Sequence, residues 1–221
     1  MIQISWLIIL IGTPLALGLR PSDALHQFFP MPPPWRDIAV AFAIMFFPSL
    51  ILYALMINEA WLRIEPQHDR ETRRGKLIRR FLGPVPLATL EEAVFRGILL
   101  EQLLRSFPAS SIYTAWAVVL SSVAFSSVHF IKRHPGKPIL QQAYGLFIVG
   151  CLFGLAYIVG GRTLWLPVTM HATAVFVIEV MKLYTAFQAP RWLVGYPEWP
   201  QSGLVGSIFV LFAGIALVEL I

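Results

Sequence analysis

The sequence predicts an all-α fold, a polytopic bundle of about seven membrane-spanning helices within a range of six to eight. Of the 221 residues, 57% are hydrophobic and only 13% are charged, whereas soluble domains carry about 25% charged residues. The mean hydropathy is +0.70. The apolar residues form long runs, each close to the ~20 residues that cross a bilayer. This composition excludes a soluble enzyme, a secreted disulfide scaffold and a disordered chain.

The apolar runs and their connections leave no room for a second, soluble domain, and they predict one membrane-embedded domain, residues 1–221, with its chemically distinctive core at about 80–185. The first run could instead be a cleaved signal peptide, because Ala16-Leu17-Gly18 resembles a cleavage site, although no basic residue precedes it. Cys151 is the single cysteine, so an internal disulfide is excluded. The seven runs lie at residues 4–19, 37–58, 84–104, 112–131, 139–159, 164–184 and 203–221.

The basic residues predict the orientation of the bundle. With seven spans, twelve of them fall on one side, which the positive-inside rule makes cytoplasmic together with the N-terminus. The net charge of +5 is thereby explained by topology, and we expect no nucleic-acid partner. The twelve are Arg63, Arg70, Arg73, Arg74, Lys76, Arg79, Arg80, Lys132, Arg133, Lys137, Lys182 and Arg191. The four on the other side are Arg20, Arg36, Arg105 and Arg162.

The stretch 191–200 is rich in tryptophan, tyrosine and proline. An aromatic belt at the membrane interface is the favoured interpretation, because indole and phenol rings prefer the headgroup level. A role in substrate gating is the alternative.

The most informative residues are the ionisable ones inside the apolar runs, because a charge at mid-bilayer costs about 2.5–3.5 kcal/mol on insertion scales. Three further glutamates, Glu101, Glu179 and Glu219, lie nearer helix ends, where we expect them to reach the headgroups. The residues that need an explanation are Glu91, Glu92, Arg96, His129 and His171.

The two adjacent glutamates have different expected surroundings. Glu92 precedes Arg96 by four residues, the favourable order for an ion pair along a helix. Glu91 points about 100° away and has no partner at its own helical neighbours. It therefore needs a proton or a polar partner from another helix, which suits a general acid or base. The alternative is a pair of acids favoured by the helix dipole.

Each of the two histidines inside the apolar runs also needs a polar partner. Ser122, Ser126 and His129 share one face of an otherwise apolar helix, which suggests a water-lined cavity. The serines alone could simply bond back to their own helix. His171 has only apolar helical neighbours, so its partner must lie on another helix; a histidine bonded to a backbone carbonyl is the alternative.

Two histidines and a glutamate on three helices allow two arrangements that hydrolyse an amide. Glu91, His129 and His171 could bind zinc. They could also hold a water between a carboxylate and an imidazole, with the second imidazole facing the developing oxyanion. Proton-coupled transport is equally compatible with these residue types.

Three motifs resemble those of one family. Glu91-Glu92-Ala93-Val94-Phe95-Arg96 matches the EExxxR motif of the CAAX protease and bacteriocin-processing (CPBP, abortive-infection) membrane proteins. Phe125 to His129 matches their FxxxH motif, and Leu164-Trp165-Leu166-Pro167 leads into His171 as in their HxxxN motif. The order and spacing agree over residues 80–185.

The resemblance implies an intramembrane endopeptidase in which Glu91 and His129 activate water and His171 stabilises the oxyanion. Glu92 and Arg96 support the site, and no metal is required. The sequence departs from the family at Val175, which occupies the position of an oxyanion-binding asparagine and has no donor. We expect Ser126 or a water to replace it.

The resemblance also implies the setting of the reaction. The substrate is a membrane-anchored or lipidated protein or peptide, membrane lipid surrounds the protein, and the chain is a multi-pass protein of a prokaryotic cell membrane. A proton-coupled transporter and a non-catalytic immunity or scaffold protein are the alternatives.

The predicted topology leaves one geometric conflict. Glu91 and His129 lie near the cytoplasmic ends of their helices, whereas His171 starts near the opposite face. At ~1.5 Å per residue this places His171 at a depth about 10 Å from the other two. A tilted, shortened or broken helix would be needed to bring them together.

Overall fold

The computed structural model describes residues 21–67, 69–129 and 139–221. The predicted first span at 4–19, its suspected cleavage site, Arg20 and the basic residues Lys132, Arg133 and Lys137 lie outside the described residues. The described part is essentially all-α. Its helices are α1 (Pro21–Phe28), α2 (Trp35–Asn58), α3 (Arg70–Leu82), α4 (Pro84–Glu92), α5 (Glu101–Ser106), α6 (Ser111–Val128), α7 (Ile139–Val159), α8 (Trp165–Tyr184), α9 (Arg191–Val194) and α10 (Leu204–Leu220).

Four of the helices in the described ranges, α2, α6, α7 and α8, are long and apolar enough to cross a membrane. They coincide with four of the seven predicted runs. A fifth run becomes α10, which has 17 residues and is shorter than the others. These helices confirm the predicted membrane-helix fold, whereas the count of seven spans is not confirmed.

The predicted run 84–104 forms a composite helix rather than a uniform one. α4 begins with Pro84 at a first-turn position, where proline is tolerated because its missing N–H would have no helical partner. A π-helical segment, Ala93–Leu100, then joins α4 to α5. Wider helical turns of this kind are frequent at functional sites. This segment begins directly after Glu91 and Glu92.

One short β pairing modifies the all-α prediction. β1 (Leu62–Ile64) pairs antiparallel with β2 (Thr185–Phe187), with Leu62 opposite Phe187 and Ile64 opposite Thr185. Each strand lies just after a long helix in the chain. β2 continues directly from α8, and β1 begins four residues after the end of α2. The pairing therefore ties the ends of these two helices together.

Helix α7 packs closely against α6. A Cβ atom placed on Gly150 would lie 3.0 Å from Cβ of Ser122 on α6, closer than side-chain carbons normally approach. Small residues let the backbones of membrane helices approach in this way. Helix α7 also joins α2, α8 and α10 in an apolar core that includes Ala41, Phe153, Met170 and Ala213.

The beginning of α8 is fixed beside the middle of the composite helix. Its N-cap residue, Leu164, donates its backbone N–H to the Phe28 carbonyl at 2.8 Å. The Phe28 ring in turn covers Gly97, since a Cβ on Gly97 would lie 2.7 Å from Cε1 of that ring. The composite helix runs on past this level to Ser106. His171 therefore meets Glu91 and Glu92 after about two turns of α8, and the expected depth conflict of about 10 Å does not arise.

We expect Gly97→Ala to lower the thermal stability of the purified protein, because the new methyl group overlaps the buried Phe28 ring. Overpacking of this kind costs about 1–3 kcal/mol. Thermal unfolding in detergent measures the effect. Gly75→Ala is the matched control: Gly75 lies in α3 with nothing within 4 Å of its added Cβ, so it should be neutral or stabilising. Equal stability of the two variants would contradict this account.

Glu101 corrects an expectation from the sequence. Its side chain does not reach toward the headgroups but is buried, with 6% of the residue exposed. Arg105 binds its Oε1 atom at 2.8 Å, and the Tyr157 hydroxyl donates to its Oε2 atom at 3.1 Å. Arg162 lies 3.9 Å from the same carboxylate. A buried carboxylate is tolerated here because several donors surround it.

Helix α3 is a basic helix that leads into α4. Asp69 caps its N-terminus by accepting the Thr72 backbone N–H at 2.9 Å, and this bond lowers the pKa of Asp69 to about 2. At the other end, Nε of Arg80 lies 3.2 Å from Glu179 on α8. The basic helix is thereby joined to the helix that carries His171.

Candidate active site

The three predicted catalytic side chains meet in one place. Glu91 is the last residue but one of α4, His129 directly follows the end of α6, and His171 is the seventh residue of α8. Oε2 of Glu91 lies 3.8 Å from Nε2 of His129 and 3.7 Å from Nε2 of His171. The sequence had left Glu91 without a partner on its own helix, and the partners come from two other helices.

Behind this group lies a fully buried ion pair. Nη1 of Arg96 is 3.0 Å from both carboxylate oxygens of Glu92, and neither side chain is exposed. The predicted i,i+4 pair is thus confirmed. Nη2 of Arg96 donates to the Gly150 carbonyl at 2.8 Å, and the guanidinium lies 4.8 Å from the centre of the Phe125 ring. These contacts compensate a charge that could not be buried alone.

Glu92 also orients one of the histidines. Nδ1 of His171 lies 2.7 Å from Oε1 of Glu92. Because Glu92 is held as a carboxylate by Arg96, it accepts this hydrogen bond, and the proton belongs on Nδ1 of His171. The imidazole is stacked on the Phe153 ring, with 4.8 Å between ring centres. Nε2 is left to face Glu91.

His129 is oriented by its own helix. Its Nδ1 atom lies 2.7 Å from the Phe125 carbonyl, which can only accept a hydrogen bond. The proton of the neutral imidazole is therefore on Nδ1, and the lone pair of Nε2 faces Glu91. The side chain of His129 is 25% exposed, against 12% for Glu91 and 8% for His171. His129 is thus the most accessible member of the group.

The serines differ from the expected water-lined stripe. The hydroxyl of Ser126 donates to the Ala143 carbonyl of α7 at 2.9 Å, and that of Ser122 to the Val118 carbonyl of its own helix at 2.7 Å. Their donors are used in packing the two helices and in back-bonding, which was the alternative interpretation. The expected substitute donor, Ser126, therefore has its proton engaged elsewhere.

Val175 lies on α8 one turn after His171 and is half-buried. It has no donor to offer, as the sequence indicated. Within the described ranges, no group of three or more histidine, cysteine, aspartate or glutamate side chains is arranged to hold a metal ion.

Part of the aromatic stretch is buried in the protein, next to residues that border the site. Trp199 is only 9% exposed and packs in a cluster with Phe95, Phe125 and Leu146. Phe125 in turn contacts the His129 ring, with 4.7 Å between ring centres. Trp192, in contrast, is 65% exposed, as an interfacial residue would be. The two tryptophans thus have different surroundings.

Sequence reasoning missed several contributors to the site. Phe153, the Gly150 carbonyl and Trp199 come from elements far along the chain and carry no catalytic signature. Phe125 was marked only as the first residue of its motif. A fully buried arginine needs acceptors and rings around it, so Arg96 itself was the signal that further partners existed.

The comparison with known proteins covers the same part of the chain. Residues 75–177 match a family model described as Type II CAAX prenyl endopeptidase Rce1-like. This range contains Glu91, Glu92, Arg96, His129, His171 and Val175.

No curated protein matches the chain, and no solved structure matches it. The family match, together with the membrane helices, supports a peptidase of the intramembrane kind. Residues 75–177 of this membrane protein therefore match the model of the Rce1-like type II CAAX prenyl endopeptidase family, in agreement with the resemblance of the three motifs.

Proposed function

We propose that the chain is a glutamate-dependent intramembrane endopeptidase that hydrolyses a peptide bond in a membrane-anchored or lipidated protein or peptide. One observation carries this proposal: the Glu91 carboxylate lies within 4 Å of both His129 and His171, with an oxygen of the same carboxylate facing each Nε2 atom. A base beside an oriented imidazole is an arrangement that activates water.

The attacking water would lie between Glu91 and His129. A water oxygen can be within hydrogen-bond distance of both atoms, because their separation of 3.8 Å is less than twice ~2.8 Å. Glu91 takes one proton from the water while the water oxygen attacks the peptide carbonyl carbon. The same proton then passes to the leaving nitrogen as the C–N bond breaks. His129 accepts the second hydrogen bond of the water through Nε2 and holds it in line.

His171 would stabilise the oxyanion. Because its Nδ1–H donates to Glu92, Nε2 carries a proton only when the ring is doubly protonated. In the proposed mechanism the ring donates from both nitrogens, from Nδ1–H to Glu92 and from Nε2–H to the oxyanion. A charged Nε2–H donor is stronger than a neutral one. With Val175 at the asparagine position, this proposal gives His171 the main oxyanion contact.

Residues 1–221 form one protease domain in this proposal. The side of the bundle that carries twelve of the basic residues faces the cytoplasm. Its test is mass spectrometry of membrane-anchored candidate substrates in cells with and without the chain. We expect substrate fragments with new termini only in cells that contain the wild-type protein. The purified protein in lipid nanodiscs should produce the same fragments from the same substrates. Substrate uptake without any cleaved product would instead favour the transporter, and neither activity would favour the scaffold protein.

We expect chelators such as phenanthroline to leave the hydrolysis rate of the purified enzyme unchanged, because Glu91 itself supplies the base and His171 the oxyanion donor in the proposed mechanism. Elemental analysis of the same preparation should find no stoichiometric zinc. The alternative is a zinc ion held by Glu91, His129 and His171. In that case activity would be lost on chelation, restored on adding zinc, and accompanied by one bound zinc per chain.

A further inference from the structure

Helix α3 has two faces with different surroundings. Six of its thirteen residues are basic, and one, Glu71, is acidic. Two of the cations point toward α8. The Arg73 guanidinium lies 5.9 Å from the centre of the Tyr184 ring, and Nε of Arg80 lies 3.2 Å from Glu179. The cations of this inner face are therefore used within the protein.

The outer face of α3 is apolar along its C-terminal half. Ile78, Phe81 and Leu82 are 57%, 66% and 64% exposed. They follow Arg74 by four, seven and eight residues, so the four side chains share one face of the helix. Adjacent exposed apolar side chains of this size mark a contact surface. In a membrane protein, lipid chains supply the matching apolar medium.

Two exposed cations border this apolar surface. Arg74 lies at its N-terminal end, and Arg79 precedes Leu82 by three residues. Neither arginine side chain forms an ion pair or a hydrogen bond with any residue that the structure describes, whereas Arg73 and Lys76 have such partners. An arginine pairs strongly with a phosphate group. The outer face of α3 thus combines unpaired cations with an apolar surface, which suits a ligand that has an anionic head and apolar chains.

The order of these groups along α3 is the order of groups in a phospholipid. Helix α3 runs beside the end of α8 in the opposite direction: Arg73 lies over Tyr184, the last residue of α8. Eight residues further along α3, the Phe81 ring lies 5.7 Å from the Phe176 ring. Because α8 is long enough to cross a membrane, Tyr184 marks a membrane surface and Phe176 lies about 12 Å deeper. Arg74 is therefore close to the headgroups, and Phe81 lies at the level of the acyl chains.

We propose that the outer face of α3 is a binding site for an anionic phospholipid. Arg74 binds the phosphate group, and Arg79 extends its long side chain from a deeper level toward the same headgroup. Ile78, Phe81 and Leu82 contact the acyl chains. An anionic lipid is preferred over a zwitterionic one, because the choline of the latter repels the two arginines. This inference uses the membrane setting of the chain and does not depend on the proposed catalytic mechanism.

The test measures lipid binding to the full-length protein in neutral detergent by native mass spectrometry. The probes are phosphatidylglycerol and phosphatidylcholine with identical acyl chains. Wild type should bind phosphatidylglycerol more tightly. Each basic side chain near an anionic headgroup strengthens binding about fivefold, so Arg74→Gln/Arg79→Gln should raise the dissociation constant for phosphatidylglycerol by about 25-fold. The dissociation constant for phosphatidylcholine should change much less, and the preference between the two lipids should disappear.

Two further variants separate this effect from the net charge of the protein. Arg36→Gln/Arg63→Gln removes the same charge at two exposed positions outside α3, and it should keep the wild-type preference for phosphatidylglycerol. Arg74→Lys/Arg79→Lys keeps both positive charges in place and should keep the preference as well.

The apolar part of the site has its own test. Ile78→Ser/Leu82→Ser should weaken the binding of both lipids several-fold and equally, because contacts with the acyl chains do not depend on the headgroup. Ile51→Ser/Leu55→Ser is the matched control. It makes the same change at the same spacing on the exposed surface of α2, and it should leave the binding of both lipids unchanged.

Three results would overturn the proposal. The first is a wild-type lipid preference in Arg74→Gln/Arg79→Gln, or an equal loss of preference in the charge control outside α3. The second is displacement of phosphatidylglycerol by the same concentration of glycerol phosphate, which would identify a soluble anion as the ligand. The third is unchanged binding of both lipids by the serine variant of α3, which decides the matter even if the glutamine variant fails to fold. None of these measurements uses peptide cleavage, so their outcome is separate from that of the proposed function.

Discussion

Replacing Glu91 by glutamine is expected to lower the hydrolysis rate by about 10²–10⁴-fold, the usual effect of losing a general base. Glutamine keeps the size and hydrogen-bonding shape of the side chain but cannot take a proton from water. Oε2 of Glu91 is the atom that faces both His129 and His171, and no other carboxylate oxygen in the described residues has this position. The rate constant is measured on the purified protein with a cleavable peptide.

Two neighbouring variants sharpen this result. His129→Ala should be similarly severe, because it removes the second group that holds the water. His171→Ala should be less severe if its role is oxyanion binding alone. The control is Glu219→Gln, which makes the same chemical change at an exposed glutamate near the end of α10 and should keep full activity. A Glu91→Gln protein with wild-type rates would contradict the proposed mechanism.

The parts of the site that the sequence predicted are those whose partners lie close along the chain. The ion pair of Glu92 and Arg96 follows from a spacing of four residues on a helix, and it is present. The apolar runs predicted the membrane helices for the same reason, because hydropathy is a local property. The catalytic roles of Glu91, His129 and His171 stay predictions.

Contacts between distant segments could not be predicted in this way. The bond between His171 and Glu92 joins residues 79 positions apart, and its formation depends on where α8 begins. The depth at which α8 begins is set by two contacts of Phe28: its ring lies over Gly97, and its carbonyl accepts the Leu164 N–H. A depth estimate from span lengths alone assumes that all helices end at the same level, and here the composite helix extends beyond the start of α8.

The burial of Glu101 has a similar origin. Its position in the sequence is near a helix end, which suggested exposure to the headgroups. The Tyr157 hydroxyl and Arg162 come from α7 and from the turn that follows it, and they surround the carboxylate. No pattern within residues 84–106 indicates these partners.

We expect Arg96→Ala to reduce the folded yield and the activity together, with a loss of about 3–5 kcal/mol in the free energy of unfolding. Arg96 is fully buried, and it contacts both oxygens of Glu92 and the Gly150 carbonyl. Alanine leaves Glu92 as a buried carboxylate whose remaining partner is His171. The monodisperse fraction after purification and the thermal unfolding midpoint in detergent measure the loss.

The double variant Glu92→Gln/Arg96→Met isolates the physical cause. It removes both charges, which often costs little in a buried pair, and the glutamine oxygen can still accept the Nδ1–H of His171. We therefore expect the double variant to recover most of the folded yield that Arg96→Ala loses. Arg105→Ala is the matched control, because it breaks another i,i+4 ion pair, the one with Glu101, in the same composite helix. The Arg105 side chain is 54% exposed, and Glu101 keeps the Tyr157 hydroxyl and Arg162 as partners when Arg105 is removed, so we expect a smaller loss than for Arg96→Ala. If Arg96→Ala is no worse than Arg105→Ala, the buried pair does not hold the site together, and the orientation of His171 must come from its stacking on Phe153 instead.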